Sequence, residues 1–181
     1  MALTHAILAF LIDCPNTGYD LAKQFDGSVG FFWKATHQQI YRELSKLEDQ
    51  RWIAAQIIAQ AGRPDKKLYH VTALGKQQLQ TWIATRCEPA PTKDDLLVKI
   101  FAGYIAPREI LLDELSHHRA LHQQRLSIYQ HLQAKYFQSP ESLPSKVQFR
   151  YLTLRNGILY ESYWLTWCDE AIQLLSCITN E

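Results

Sequence analysis

The sequence predicts a mainly α-helical chain with one small β-hairpin, built in two parts, residues 1–88 and 89–181. Three observations predict it. Apolar residues recur at helical spacing over most of the chain. One stretch, residues 52–72, changes to β-branched and alternating residues around a Gly-Arg-Pro turn. Pro89-Ala90-Pro91 then breaks the chain near its middle. With 181 residues, 47% of them hydrophobic, there is enough apolar material for two small cores.

The first helix runs through Thr4–Cys14. It is apolar nearly all round, so it belongs at the centre of a core. Pro15-Asn16-Thr17-Gly18 stops it. Thr17 caps a second helix from Tyr19 to about Gly27, with Leu21, Ala22 and Phe25 facing inward, and Gly27 to Gly30 is a loop. The third helix starts at Thr36, a good N-cap, in the stretch from Phe31 to Leu47. Ile40, Leu44 and Leu47 form its buried stripe. His37, Gln38, Tyr41, Arg42, Ser45 and Lys46 fill the other face, and Glu43 is the acid in the helix body. Alone, this is equally an ordinary amphipathic surface helix. As the third of three short helices, it fits the helix-turn-helix plan.

Trp52–Gln60 and Lys67–Thr72 read as antiparallel strands joined by Ala61-Gly62-Arg63-Pro64-Asp65-Lys66. A basic hairpin directly after a reading helix is a wing; without that helix it would be a solvated hairpin with surface lysines. Thr72 caps a fourth helix, with Leu74, Leu79, Trp82 and Ile83 apolar, which ends before Pro89. The first part is therefore read as a winged helix-turn-helix domain.

In the second part, a short helix spans Lys93 to about Tyr104. A long helix follows Pro107, at a first-turn position where proline is tolerated, and runs towards Tyr136. Pro140 and Pro144 bracket a break, and a final helix runs from about Ser145 to Ser176. Heptad-spaced seams lie at Leu111, Leu115, His118, His122, Arg125, Tyr129, Leu132, Tyr136 and at Gly157, Tyr160, Trp164, Trp167, Ala171, Leu174, Ile178. Such seams pack as coiled coils, and a monomer would leave broad aromatic faces bare. The second part is read as a dimerisation domain in which long helices of two chains interlock, giving paired reading helices for a palindromic site.

Charge supports a local interface with nucleic acid and excludes a generally basic protein. The net charge is +1, but residues 1–86 carry +3 and residues 87–181 carry −2. Lys34, Thr36, His37, Gln38 and Gln39 are placed to enter the major groove of double-stranded DNA, with Gln38 or Gln39 able to bond adenine bidentately. Tyr41, Arg42, Arg63, Lys66 and Lys67 would grip the backbone, with Tyr19 and Lys23 as weaker phosphate contacts. The competing class is a protein–protein adaptor on the same fold, which has no need of cations at the wing tip.

Enzymatic chemistry finds no support: there is no G-x-S-x-G and no phosphate loop. No cofactor is implied. The cysteines, at 14, 87, 168 and 177, form no C-x-x-C, and buried thiols in a reducing compartment are expected. His118 and His122 lie one turn apart without a third ligand, so no metal site is predicted. A small aromatic effector could stack on Tyr160, Tyr163, Trp164 and Trp167, with His122 or Arg125 pairing its carboxylate; the alternative is that these aromatics are core. No charged leader or apolar run of membrane length occurs, which predicts a soluble cytoplasmic protein with no membrane association.

Several runs together resemble the PadR family of winged helix-turn-helix transcription regulators. They are Gly18-Tyr19-Asp20, Gln39-Ile40-Tyr41-Arg42-Glu43-Leu44, Gly62-Arg63-Pro64-Asp65-Lys66-Lys67-Leu68-Tyr69 and Thr72-Ala73-Leu74-Gly75. Phe32-Trp33-Lys34-Ala35 followed by His37-Gln38-Gln39 is similar to the AphA-like subfamily. So are Leu152-Thr153-Leu154-Arg155 and Trp167 with Asp169-Glu170-Ala171. The resemblance implies a cytoplasmic homodimer that binds operator DNA. It would act as a repressor released by a small aromatic acid, or as a regulator working with a second one.

Overall fold

The computed structural model describes residues 2–26, 33–60, 62, 65–89, 91 and 93–178. The chain divides into two compact units, Met1–Pro89 and Ala90–Glu181.

The first unit runs α1 (Ala2–Leu11), β1 (Asn16–Thr17), α2 (Gly18–Asp26), α3 (His37–Asp49), β2 (Ile53–Ile58), β3 (Lys66–Val71) and α4 (Ala73–Ala84). Ile7, Leu8 and Leu11 of α1 meet Leu21, Ala22 and Phe25 of α2 and Ile40, Leu44 and Leu47 of α3 in one core, closed by Ile53, Tyr69 and Leu79. Each buried aliphatic side chain adds roughly 1.5–3 kcal/mol. The central helix is apolar on several sides because helices and sheet both cover it.

The expected hairpin is a three-stranded sheet in the order β1-β3-β2, all antiparallel. Asn16 pairs with Tyr69 and Thr17 with Leu68, on the free edge of β3. A two-residue strand is too short to show a period of two, so this stretch reads only as a helix stop. Thr17 still caps α2, its hydroxyl accepting the Asp20 N–H at 3.1 Å.

The corner between α3 and β2 is tight. Arg51 adopts a left-handed φ of 59°. The Thr72 hydroxyl donates to the Arg51 carbonyl at 2.7 Å and accepts the Gly75 N–H at 3.1 Å. This seats α4 on the entry to β2. Only Gly75 and Leu79 of α4 are buried; Trp82 stacks on His5 at 4.3 Å, and Leu74 and Ile83 stay exposed.

The second unit holds α5 (Asp95–Phe101), a 3-10 turn (Gly103–Ile105), α6 (Arg108–Tyr136), a second 3-10 turn (Pro140–Ser142) and α7 (Ser145–Cys177). The helix expected over Lys93–Tyr104 is shorter, since Asp94 caps it by accepting the Leu96 N–H at 2.9 Å. Pro107 precedes α6 as its N-cap and is not inside the first turn. α6 and α7 form an antiparallel hairpin: Arg108 Nη1 donates to the Ile178 carbonyl at 2.7 Å, and Tyr129 lies against Gly157.

The hairpin seam departs from the expected heptads. Leu126 is buried where Arg125 was expected, and Arg125 is exposed. On α7, Ile158, Glu161, Trp164, Leu165 and Cys168 face inward, whereas Tyr160 and Leu174 are exposed. A straight helix drifts about 20° per heptad from a 3.5-residue repeat, so the stripe crosses to neighbouring positions and takes leucine over arginine. The two long helices of one chain thus cover each other along this face.

The cysteines also differ from expectation: Cys168 is buried, while Cys14, Cys87 and Cys177 are exposed, and all four are free thiols. The three exposed ones fall in loops and at a helix end, where no core covers them. Among the described residues, no helix is long and apolar enough to cross a membrane.

Candidate nucleic-acid interface

The start of α3 is fixed by a reciprocal cap. The Thr36 hydroxyl accepts the Gln39 N–H at 3.2 Å, and Gln39 Oε1 accepts the Thr36 N–H at 2.8 Å. This capping box satisfies two otherwise unpaired donors and is worth about 1 kcal/mol. The remaining amides and the helix dipole leave a positive end, suited to phosphate.

The buried Ile40, Leu44 and Leu47 set the roll of α3. The opposite face then exposes His37, Gln38, Tyr41, Arg42, Ser45 and Lys46, with Lys34 exposed just ahead of the cap. Gln39 is exposed too, but its carbonyl oxygen serves the cap. Gln38, exposed on the same face, takes no part in the cap. The Tyr41 ring lies over the start of α2, where a Cβ on Gly18 would come within 2.6 Å of Cε1.

Glu43 is turned away from this face. The Thr4 hydroxyl of α1 donates to its Oε1, and Lys46 Nζ lies 3.3 Å from the same oxygen. One of the two buried polar residues of α1, Thr4 beside His5, is thus the acid's partner.

The wing is β2 and β3 with their connection. Lys66 is exposed beside Asp65 on the descending strand. Arg63, expected at the tip, lies outside the described residues, as do Phe31, Phe32 and the Gly27–Gly30 loop. Lys67 Nζ lies 3.1 Å from Glu48 Oε2, and this hydrogen bond holds its ammonium pKa above the usual value. Glu48 was not evident as a wing partner, because nineteen residues separate it from Lys67. Tyr19 and Lys23 are both exposed on α2.

The expected effector residues lie in the second unit. His122 stacks on Trp164 with rings parallel at 5.1 Å, Tyr160 meets both edge-on, and Trp167 meets Trp164 at 5.2 Å. Tyr163 borders Trp164 at 6.4 Å and is exposed. Arg125 is exposed and does not join the cluster. The partner of His122 is Glu161, whose Oε2 lies 2.5 Å from Nδ1 and which sequence reasoning missed. A glutamate flanked by aromatics is the one local signal of it. His118 adds only a 3.8 Å approach to Glu114, and among the described residues no group of three or more His, Cys, Asp or Glu could hold a metal.

Residues 7–81 match the model of the transcriptional regulator PadR-like family, and residues 92–176 match that of the virulence activator alpha C-terminal region. The probable transcriptional regulator Rv1176c of Mycobacterium tuberculosis is 36% identical, over 97% of this chain and 98% of that protein. The negative transcriptional regulator PadR of Bacillus subtilis is 31% identical, over 96% and 97%. Its crystal structure in complex with operator DNA aligns at a TM-score of 0.82, with 29% identity over 97% of this chain and 99% of that one. Its complex with p-coumaric acid aligns at 0.79, with the same identity and coverage. The Vibrio cholerae virulence activator AphA aligns at 0.79, with 29% identity over 98% of this chain and 99% of that one. These relatives are regulators of transcription, a non-enzymatic role, and both halves of the chain match them. The chain belongs to the PadR-like family of transcriptional regulators, near the AphA type.

Proposed function

We propose that this regulator is a homodimer that reads a palindromic operator, with α3 in the major groove and the β2–β3 wing on the backbone. The observation that carries it is the rigidly capped α3, buried on one side by Ile40, Leu44 and Leu47 and presenting side-chain donors and cations on the other. That the Bacillus subtilis relative is solved with operator DNA supports DNA as the partner. Lys34, Thr36, His37 and Gln38 sit at the helix start towards the bases; Gln39 braces it. Tyr41, Arg42, Lys66, Lys67 and Arg63 serve the phosphates.

The second unit supplies the dimer. Phe101 and Tyr104, 88% and 90% exposed, and Phe149, Tyr163 and Leu174 on α7 are apolar surface that a second copy would cover. The two reading helices then lie ~34 Å apart, or a multiple of it. The effector reading rests on the His122, Tyr160, Trp164 and Trp167 cluster and on the relative solved with p-coumaric acid. An aromatic acid, or a second regulator, would act by favouring one dimer shape over another. The protein works in the cytoplasm, with the chromosome.

The deciding experiment is fluorescence anisotropy of labelled duplex DNA over a salt series, alongside sedimentation of the free protein. The proposal expects a dimer at micromolar concentration and duplex binding that weakens steeply with salt. A strictly single-chain species, or no duplex binding at low salt, defeats it.

A further inference from the structure

Glu48 sits in the last turn of α3, where the negative end of the helix dipole disfavours a carboxylate. Lys67 answers it from the base of the wing. Its ammonium contacts both carboxylate oxygens, at 3.1 and 3.4 Å. Both groups remain within reach of solvent, 53% exposed for Lys67 and 33% for Glu48. Adjacent residues of a strand point to opposite faces. Lys66 therefore stands clear of this pair, while Lys67 alone is drawn towards α3.

A lysine that meets DNA phosphate releases a counterion, and that release sets the salt dependence of binding. A lysine already answered by a carboxylate has less to release. We propose that Glu48 is an internal stand-in for a DNA phosphate, which occupies Lys67 in the free protein and so lowers both the affinity and the salt slope of duplex binding. The inference rests on the reading of α3 and the wing as the DNA face. Glu48 is a positioning residue: it acts through Lys67 and need not touch DNA. With this brake, sequence-independent binding stays weak, and a larger share of the affinity is left to the bases read by α3.

The test is a double-mutant cycle on the full-length protein with wild type, Glu48→Gln, Lys67→Met and the double variant. Each is titrated into a labelled mixed-sequence duplex from 50 to 300 mM potassium chloride, which are on the order of the salts where phosphate contacts are read out. Glu48→Gln is expected to tighten binding several-fold at the lowest salt and to steepen the log–log slope by about one per protomer. In the Lys67→Met background, Glu48→Gln should leave the slope unchanged. Equal slope changes in both backgrounds would mean a general field effect and would overturn the proposal, as would no change in either. Binding by wild type without coupling sinks only this inference. Absence of duplex binding by all four proteins sinks the underlying reading and this inference together. Circular dichroism melts that match wild type show that the variants are folded.

Discussion

His122 and Glu161 face each other across the α6–α7 hairpin, Nδ1 to Oε2 at 2.5 Å, with both side chains less than a tenth exposed. The pair forms a polar layer between two apolar clusters. Leu96, Leu115, Trp164 and Cys168 lie on one side, and Leu126, Tyr129, Ile158 and Leu165 on the other. Sliding one helix by a turn would part the pair and leave a buried polar group against apolar neighbours, so the layer favours one register of the hairpin.

Breaking that pair on one side should be costly. His122→Leu leaves the Glu161 carboxylate buried without its partner, a loss of about 3–5 kcal/mol. Replacing both, as in His122→Leu with Glu161→Met, is expected to be neutral or stabilising by ~1–4 kcal/mol, with register less well specified. Urea unfolding midpoints of the three proteins give the comparison. A double variant no better than the single one would mean that the pair is not insulated from water.

A second prediction concerns acid. Arg119 Nε donates to Asp169 Oδ1 at 2.5 Å, and this hydrogen bond holds the Asp169 carboxyl below its usual 3.8. The depressed folded value means that the stabilisation is fully present above the unfolded pKa and is lost as pH falls through the lower folded one. Lys99 acts likewise on Glu114, by its hydrogen bond. Asp169→Asn should therefore unfold more easily than wild type at neutral pH, and the two curves should converge as pH falls through the lowered folded value. Thermal melts across pH 2–7, on the order of the range in which carboxylates titrate, decide it. A gap that persists at the acid end would mean that Asp169 contributes by packing and not by charge.

Glycines of the first unit divide sharply by environment. A Cβ on Gly75 would come 2.0 Å from the Trp52 carbonyl oxygen, and neither backbone can yield without opening the α4 contact. Gly75→Ala should cost about 3 kcal/mol or more and raise the fraction unfolded. Gly62, at φ +72° with nothing within 4 Å, faces only backbone strain, so Gly62→Ala should cost about 1 kcal/mol. Differential scanning calorimetry orders the two; the reverse order would refute the account.

What could be read in advance follows from the range of each interaction. The caps at Thr36 and Thr72, the Ile40–Leu44–Leu47 stripe and the wing strands are local, and local spacing displays them. The β1 edge strand, the Thr4–Glu43 and Lys67–Glu48 contacts and the His122–Glu161 layer join residues far apart in sequence. Only the fold brings them together, and they modify the site most: they turn one acid inward and occupy one wing lysine. Arg125 illustrates the remaining difficulty. A heptad count is indifferent between it and Leu126, and the drift of a straight helix decides for leucine.

Gln38 and Gln39 are chemically alike and adjacent, yet the structure gives them different work. Gln39 Oε1 accepts the Thr36 N–H at 2.8 Å, so its amide braces the helix start. Gln38 is exposed on the presented face. Gln39→Ala should lower stability by about 0.5–1 kcal/mol and weaken binding to all duplexes by a similar factor, since every contact hangs on the same helix start. Gln38→Ala should leave the melting temperature unchanged. It should instead cost about 1–3 kcal/mol on the preferred operator and little on scrambled DNA, because a bidentate base contact carries discrimination. In vitro selection with wild type supplies the operator, and the two variants are then titrated against it and a scrambled control. If Gln39→Ala alone relaxes sequence preference, the cap opens on DNA and the glutamine that reads adenine is Gln39.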